Sequence, residues 1–156
     1  MFLQHKTILN ILIILNLSII SIAYFIEYIL NIPPCTLCIY QRVPYYFAIV
    51  ILIFTLLRKI RLKKLMIILI FLSIISLALS FYHIGIERGF FSELATCKNN
   101  IVSDNTENLL KELQKQKIVP CKEISFTIFG LSLATINFIV SFTLILLYWG
   151  IFKYEK

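Results

Sequence analysis

The chain has 156 residues, of which 60% are hydrophobic and 15% are charged, and its mean hydropathy is +0.90. This composition is far too apolar for a soluble domain of that length, so lipid is the expected solvent. The formal charge of +7 does not indicate nucleic-acid binding, because the basic residues do not form the ordered soluble patch that phosphates need. We expect a single integral membrane domain over residues 1–156.

Four stretches are apolar over nearly the length that an α-helix needs to cross a bilayer, about 20 residues. They run from Thr7 to Leu30, from Ile39 to Leu57, from Leu65 to Ile84 and from Phe126 to Tyr148. The second stretch carries Pro44 near its start, where proline costs a helix little. The sequence therefore predicts an all-α membrane protein, a bundle of four transmembrane helices.

The first stretch shares one feature with cleaved signal peptides. Ser21-Ile22-Ala23 has the small-x-small pattern of a cleavage site. Apolar character nevertheless continues to Leu30, well beyond the hydrophobic region of a signal peptide. We therefore favour a retained helix, since cleavage would leave only three.

The charged residues predict how the helices are oriented, because translocation disfavours Lys and Arg in short loops. Residues 58–64 and the two termini together hold eight basic residues and one acid, Glu155. The opposite loops and adjoining helix ends hold seven basic and seven acidic residues. Both termini and the middle loop are thus expected in the cytoplasm. A short loop, residues 31–38, and a long one, residues 85–125, are expected in the periplasm.

The long loop is expected to contain some structure of its own. Asp104-Asn105-Thr106-Glu107 is typical of a capping box that opens a helix extending to about Lys117. Leu109, Leu110 and Leu113 share one face of that helix. A short amphipathic helix of this kind either lies flat on the membrane surface or packs, solvated, on the ends of the bundle, and both readings stay open.

All four cysteines lie in the two outer loops. Cys35 and Cys38 form a Cys-x-x-Cys pair, and Cys97 and Cys121 are 24 positions apart in the long loop. The outer compartment of a bacterial envelope is oxidising, so disulfides are expected, and two structural bridges are one explanation. A zinc site of four thiolates is disfavoured, because the second pair lacks the close spacing of structural zinc modules. No metal site is therefore expected.

The spacing of Cys35 and Cys38 favours a redox role. A disulfide within Cys-x-x-Cys closes a tiny loop and constrains the unfolded chain very little. A thiolate at the start of a helix also meets the positive end of the helix macrodipole, which stabilises it. Arg42 follows Cys38 by four residues, so its guanidinium lies one turn along the same face. Arg42 is then either a partner of the thiolate or an interfacial anchor.

Several of these residues belong to longer runs that resemble a known family. The run PCTLCIYQR at residues 34–42 resembles the signature of the bacterial disulfide bond formation protein B family, DsbB. The run YHIGIE at residues 82–87 is similar to the end of that family's third helix. Residues 119–121, residues 130–132 and Ala134 are similar to its entry into the fourth helix. The resemblance therefore spans nearly the whole chain.

This resemblance implies a disulfide-generating thiol:quinone oxidoreductase in the bacterial inner membrane. A soluble thioredoxin-like carrier of the DsbA kind would attack a Cys97–Cys121 disulfide, at Cys97. Electrons would then pass by thiol–disulfide exchange to the Cys35–Cys38 pair. A membrane quinone, ubiquinone or menaquinone, would accept them next to Cys38.

The resemblance also implies roles for two residues outside the cysteines. Arg42 would stabilise the Cys38 thiolate and the developing quinone anion. His83, at the outer end of the third helix, would donate to a quinone oxygen, and the alternative for it is an ordinary interfacial histidine.

Two other functions stay open at this point. One is a related oxidoreductase that runs toward reduction or serves a single dedicated enzyme. The other is a non-catalytic membrane scaffold with two structural disulfides, for which Cys38→Ser would leave every redox phenotype unchanged.

Overall fold

The part of the chain that the structure describes folds into four long helices and one short hairpin. A computed structural model describes residues 2–58, 61–92, 121, 127–128 and 130–154, apart from the side chains of residues 2–5. The helices are α1 (Phe2–Tyr28), α2 (Thr36–Arg58), α3 (Leu62–Glu87) and α4 (Leu133–Tyr154). The antiparallel strands β1 (Thr127–Ile128) and β2 (Leu131–Ser132) precede α4. All four helices are long and apolar enough to cross a membrane, which confirms the predicted all-α four-helix bundle.

The helix boundaries differ from the predicted ones at two places that matter for the site. Helix α2 begins at Thr36 instead of Ile39, so Cys38 lies inside its first turn. Helix α4 begins at Leu133, and the predicted start at Phe126 is too early because the hairpin occupies that segment. Gly130 turns this hairpin with φ +77, a conformation that glycine adopts without the strain of a Cβ atom.

The apolar core lies along α3, which packs against both α2 and α4, while α1 packs against α2. Its fully buried side chains come from all four helices: Leu12, Leu52, Leu65, Met66, Leu69 and Tyr148. Large apolar side chains also cover the outside of the bundle, as Phe71 at 62% and Phe142 at 51% exposure illustrate. An apolar exterior is what a helix bundle presents to lipid.

The contact between α3 and α4 is lined by small polar side chains. Ser76, Ser80 and Ser141 are at most 1% exposed. Small residues let two helix backbones approach closely, and their hydroxyls add hydrogen bonds in a region without water. This arrangement buries polar groups between two helices that are long and apolar enough to cross a membrane.

Two expectations fall on parts of the chain that the structure does not describe. The amphipathic helix expected between Asp104 and Lys117 lies outside the described residues, as does Cys97. The assignment of the loops to the cytoplasm and the periplasm stays a prediction.

Candidate functional site

The first two cysteines begin helix α2. Cys35 immediately precedes the helix, and its carbonyl oxygen accepts a hydrogen bond from the Ile39 N–H at 3.3 Å. Its Sγ accepts the Cys38 N–H at 3.2 Å, in the way a serine or aspartate oxygen satisfies a free N–H in the first helical turn. Both sulfurs therefore lie at the positive end of the α2 dipole, within 4.8 Å of each other.

The two thiols have different surroundings. Cys35 is 5% exposed, whereas Cys38 is half-buried and lines a cavity. The hydrogen bond with the Cys38 side chain, followed by burial, raises the pKa of the Cys35 thiol. Cys35 is thus held as the buried thiol of the pair, and Cys38 is the sulfur that a molecule in the cavity can reach.

Cys121, near the C-terminal end of the long loop, packs beside this pair. It is 1% exposed and forms one apolar cluster with Cys35, Leu37 and Ile86, against which Cys38 packs. Three of the four cysteines are therefore gathered where α2 begins and α3 ends. Because Cys121 is at least 83 positions from the other two cysteines, local spacing gave no indication of this contact.

His83 of α3 faces the cysteine pair. Its Nε2 lies 3.6 Å from the Cys35 Sγ and 3.8 Å from a Glu87 carboxylate oxygen. Its Nδ1 lies 3.1 Å from the side-chain nitrogen of Gln41. An amide nitrogen can only donate, so Nδ1 accepts, and the neutral ring carries its proton on Nε2. The imidazole therefore presents an N–H to the side that holds Cys35 and Glu87.

Gln41 connects His83 to a chain of polar groups inside the membrane. Its side-chain oxygen accepts a hydrogen bond from Asn137 of α4 at 3.1 Å. Asn137 also donates to Ser80 at 2.7 Å and accepts from the Tyr45 hydroxyl at 2.7 Å. Sequence reasoning missed Gln41, Tyr45 and Asn137. Asn137 could have been found, since a carboxamide within an apolar span is uncommon and marks an interhelical or functional site.

The ends of α3 and α4 are joined through Glu87. The Ser132 hydroxyl donates to a Glu87 carboxylate oxygen at 2.6 Å and accepts the Thr135 N–H at 3.2 Å, which caps α4. Serine before an apolar run is a helix-start signal, so Ser132 indicates the start of α4 already in the sequence.

Arg42 is shared between Cys38 and helix α1. Its guanidinium forms an ion pair with Glu27, and it lies over the Tyr24 ring at 5.1 Å from the centroid. The Tyr24 hydroxyl in turn lies 2.6 Å from the Tyr46 hydroxyl. The predicted position of Arg42, on the face of Cys38, agrees with the cavity that both residues line, but its acidic partner was not predicted.

A cavity of about 200 Å³ opens between α1, α2 and α4. Its polar lining is Cys38, Gln41, Arg42, Tyr45 and Asn137, and aliphatic side chains of α1 and α4 form most of the rest. An apolar cavity of roughly 150 Å³ can hold benzene, so this one accommodates a substituted six-membered ring. Within the described part of the chain, His83 does not belong to this lining.

Comparison with known proteins identifies the family. The family model of disulfide bond formation protein DsbB matches residues 5–151. This chain belongs to the DsbB family. DsbB-family proteins are multi-pass membrane oxidoreductases of disulfide formation, which agrees with the four spanning helices and the gathered cysteines.

A relative that aligns over nearly its whole length is also found. The uncharacterized protein RP370 of Rickettsia prowazekii (strain Madrid E) is 31% identical over 157 residues, which cover 98% of this chain and 91% of that protein. No solved structure matches the chain.

Proposed function

We propose that this DsbB-family protein reoxidises a periplasmic thioredoxin-like dithiol carrier and passes the electrons to a membrane quinone of the inner membrane. The observation that carries the proposal is the cavity between α1, α2 and α4 that Cys38 and Arg42 both line. In this proposal the protein is an enzyme, and the quinone is its electron-accepting substrate.

The electrons would enter through the loop cysteines. A carrier thiolate attacks the Cys97–Cys121 disulfide at Cys97, and the sulfur of Cys121 leaves as a thiolate. The burial of Cys121 in one cluster with Cys35 supports the next exchange. The Cys121 sulfur forms a bond to Cys35, the Cys35–Cys38 bond breaks, and Cys38 leaves as the thiolate at the N-terminus of α2. The second carrier thiol then displaces Cys97 from its mixed disulfide, and the oxidised carrier is released. The Cys97 thiolate attacks Cys121 and restores the loop disulfide, and Cys35 leaves as a thiolate, so that Cys35 and Cys38 are both reduced.

The cavity fits the electron acceptor by shape and by chemistry. The aliphatic walls accept an apolar ring and its hydrocarbon tail, and the Arg42 side chain can donate to a ring oxygen. A guanidinium has five N–H donors, so the pair with Glu27 leaves donors for a ring oxygen. Two thiols and one quinone then yield one disulfide and one hydroquinone, with both protons coming from the thiols.

The contacts of His83 favour a role on Cys35 over the expected donation to a quinone oxygen. Its Nε2–H lies 3.6 Å from the Cys35 Sγ, and the ring is not part of the cavity lining. We therefore assign His83 to stabilising negative charge on Cys35 when that sulfur leaves during exchange.

The proposal is tested by mixing the purified protein anaerobically with a reduced thioredoxin-like carrier and a short-chain quinone, and following quinone absorbance. Quinone loss that requires both the carrier and Cys38 is expected, with Cys38→Ser as the control. No turnover with any carrier in folded protein would favour a dedicated partner. Resistance of its disulfides to mild reductant as well would favour a structural scaffold.

A further inference from the structure

The sulfurs of Cys35 and Cys38 and the imidazole of His83 converge on one point. Their ligating atoms lie within 4.8 Å of one another, and the Cys35 Sγ and His83 Nε2 are 3.6 Å apart. Cys35 and His83 are at most 5% exposed, while Cys38 is half-buried and reachable from the cavity. We propose that the reduced pair, together with His83, binds a borderline-soft divalent cation of the Zn²⁺ class.

The distances suit tetrahedral zinc. Zinc–sulfur bonds of about 2.3 Å and zinc–nitrogen bonds of about 2.0–2.1 Å place neighbouring ligand atoms about 3.6–3.8 Å apart in a tetrahedron. The Cys35–His83 separation of 3.6 Å already has this value. Cys38 lies on the first turn of α2, so a rotation of its side chain supplies the third ligand without moving a helix.

The charge of the complex suits a buried site. Two thiolates neutralise one divalent cation, so the loaded site carries no net charge and costs far less to bury than a free ion. Each thiol loses a proton on binding, and the affinity therefore rises with pH. Three protein ligands leave a fourth position for water.

The imidazole must present a lone pair at Nε2, where the apo ring carries its proton. The neutral ring can hold that proton on Nδ1 instead, provided that Gln41 turns its amide and accepts it through oxygen, which gives up the bonds that this amide makes with Asn137 and Leu79. A glutamate at position 41 has two acceptor oxygens and can accept from both Asn137 and the Nδ1–H. A second hydrogen bond of this kind orients most metal-binding histidines, and a carboxylate there raises the basicity of the ligand. Gln41→Glu, which has the same shape, should therefore strengthen binding.

The site would respond to the redox state of the pair, because the Cys35–Cys38 disulfide offers no thiolate. A cation that binds only the dithiol stabilises the reduced form. Each tenfold excess of cation over its Kd then raises the reduction potential of the pair by about 30 mV. Bound zinc would hold the pair reduced and stop electron flow, a property that goes beyond the proposed oxidase activity.

The test uses the full chain with Cys97→Ser and Cys121→Ser, so that Cys35 and Cys38 are the only thiols. Zn²⁺ affinity is measured by competition with a chromophoric chelator, and Co²⁺ absorption reports thiolate coordination and tetrahedral geometry. We expect one ion per reduced chain and none after oxidation. His83→Ala should weaken binding at least tenfold, and Gln41→Glu should tighten it about tenfold.

Binding that survives oxidation, or that is unchanged in His83→Ala, would overturn the three-ligand site. Circular dichroism of each variant confirms that it is folded, and a folded reduced protein that binds no ion overturns the proposal as well. Neither a carrier nor a quinone enters the measurement. A failure here therefore leaves the oxidase proposal standing, and a failure of quinone reduction leaves this result unaffected.

Discussion

Arg42 of α2 is ion-paired with Glu27 of α1. The cation that lies beside Cys38 is thus also a link between two helices, and Tyr24, under the guanidinium, belongs to the same contact. The side chains of Arg42 and Glu27 are only 14% and 20% exposed, so neither charge is fully hydrated. A variant that removes one of them changes the charge at the cavity and leaves the other partner poorly solvated.

Arg42→Ala is expected to slow quinone reduction by about 100-fold, the usual cost of removing one donor that stabilises developing negative charge. Exchange between the carrier and the loop cysteines should remain within a few-fold of wild type. The two half-reactions are separated by rapid mixing with the carrier alone and with quinone alone. Equal losses in both would contradict the role of Arg42 at the quinone.

The matched control is the double variant Arg42→Ala/Glu27→Gln. It removes the carboxylate that Arg42→Ala leaves unpaired, so the stability lost in the single variant should return. Quinone reduction should stay low. Recovery of quinone reduction would mean that the single variant had failed through a displaced α1 and not through the missing cation.

His83→Ala is expected to slow exchange at Cys35 about tenfold or more, because the Nε2–H no longer meets the leaving sulfur. Binding of a quinone analogue should change little, since His83 is outside the described lining of the cavity. Rapid acid quenching resolves the exchange step, and analogue titration gives the affinity. A large loss of quinone affinity with normal exchange would instead support donation to the quinone.

The local features of this site follow from sequence, whereas its contacts between helices do not. Uninterrupted apolar windows specify four spans, and Cys-x-x-Cys followed by Arg42 places three groups on the start of one helix. The partners of these groups come from other helices. Hydropathy does not encode which faces of two spans meet, so Glu27 opposite Arg42 and His83 opposite Cys35 could not be derived.

The start of α4 was mispredicted for a different reason. The hairpin before it is composed of apolar and small residues, which have the same hydropathy in a strand as in a helix. Only turn chemistry separates the two structures there. Gly130 with positive φ and Ser132 as the cap mark the boundary, and both residues could have been recognised as boundary signals from the sequence.

The raised pKa of Cys35 predicts unequal alkylation of the reduced pair. A group whose pKa is raised stays protonated to higher pH, and the thiol is a far weaker nucleophile than the thiolate. At pH 7.5, about one unit below the usual cysteine pKa, iodoacetamide should modify Cys38 first. Cys35 should react more slowly, and its rate should still be rising with pH at the alkaline end of a pH 7–9 series.

Peptide mass spectrometry of the Cys97→Ser/Cys121→Ser protein assigns the two rates. The burial of Cys35 slows its alkylation at every pH, so the pH dependence, not the ratio at one pH, tests the pKa. A Cys35 rate that levels off below pH 8 would show a thiolate form that the structure does not support.

Asn137→Leu is expected to lower the free energy of unfolding by about 1–3 kcal/mol. The amide of Asn137 bonds groups on α2 and α3, and its loss leaves the Gln41 oxygen and the Tyr45 hydroxyl without that partner. Thr143→Val is the matched control, because the Thr143 hydroxyl is exposed and donates to the Ile139 carbonyl oxygen of its own helix. Reversible unfolding in mixed micelles measures both variants, and equal effects would mean that the network does not stabilise the bundle.

Ser132 variants separate the two roles of its hydroxyl, capping α4 and donating to Glu87. Ser132→Ala removes both and should cost about 1–2 kcal/mol of unfolding free energy. Ser132→Asp restores an acceptor for the Thr135 N–H but places a second carboxylate against Glu87, so it should recover little of that loss at neutral pH. If Ser132→Asp instead matches wild type at pH 7, the cap alone holds this junction and the bond to Glu87 contributes nothing to it.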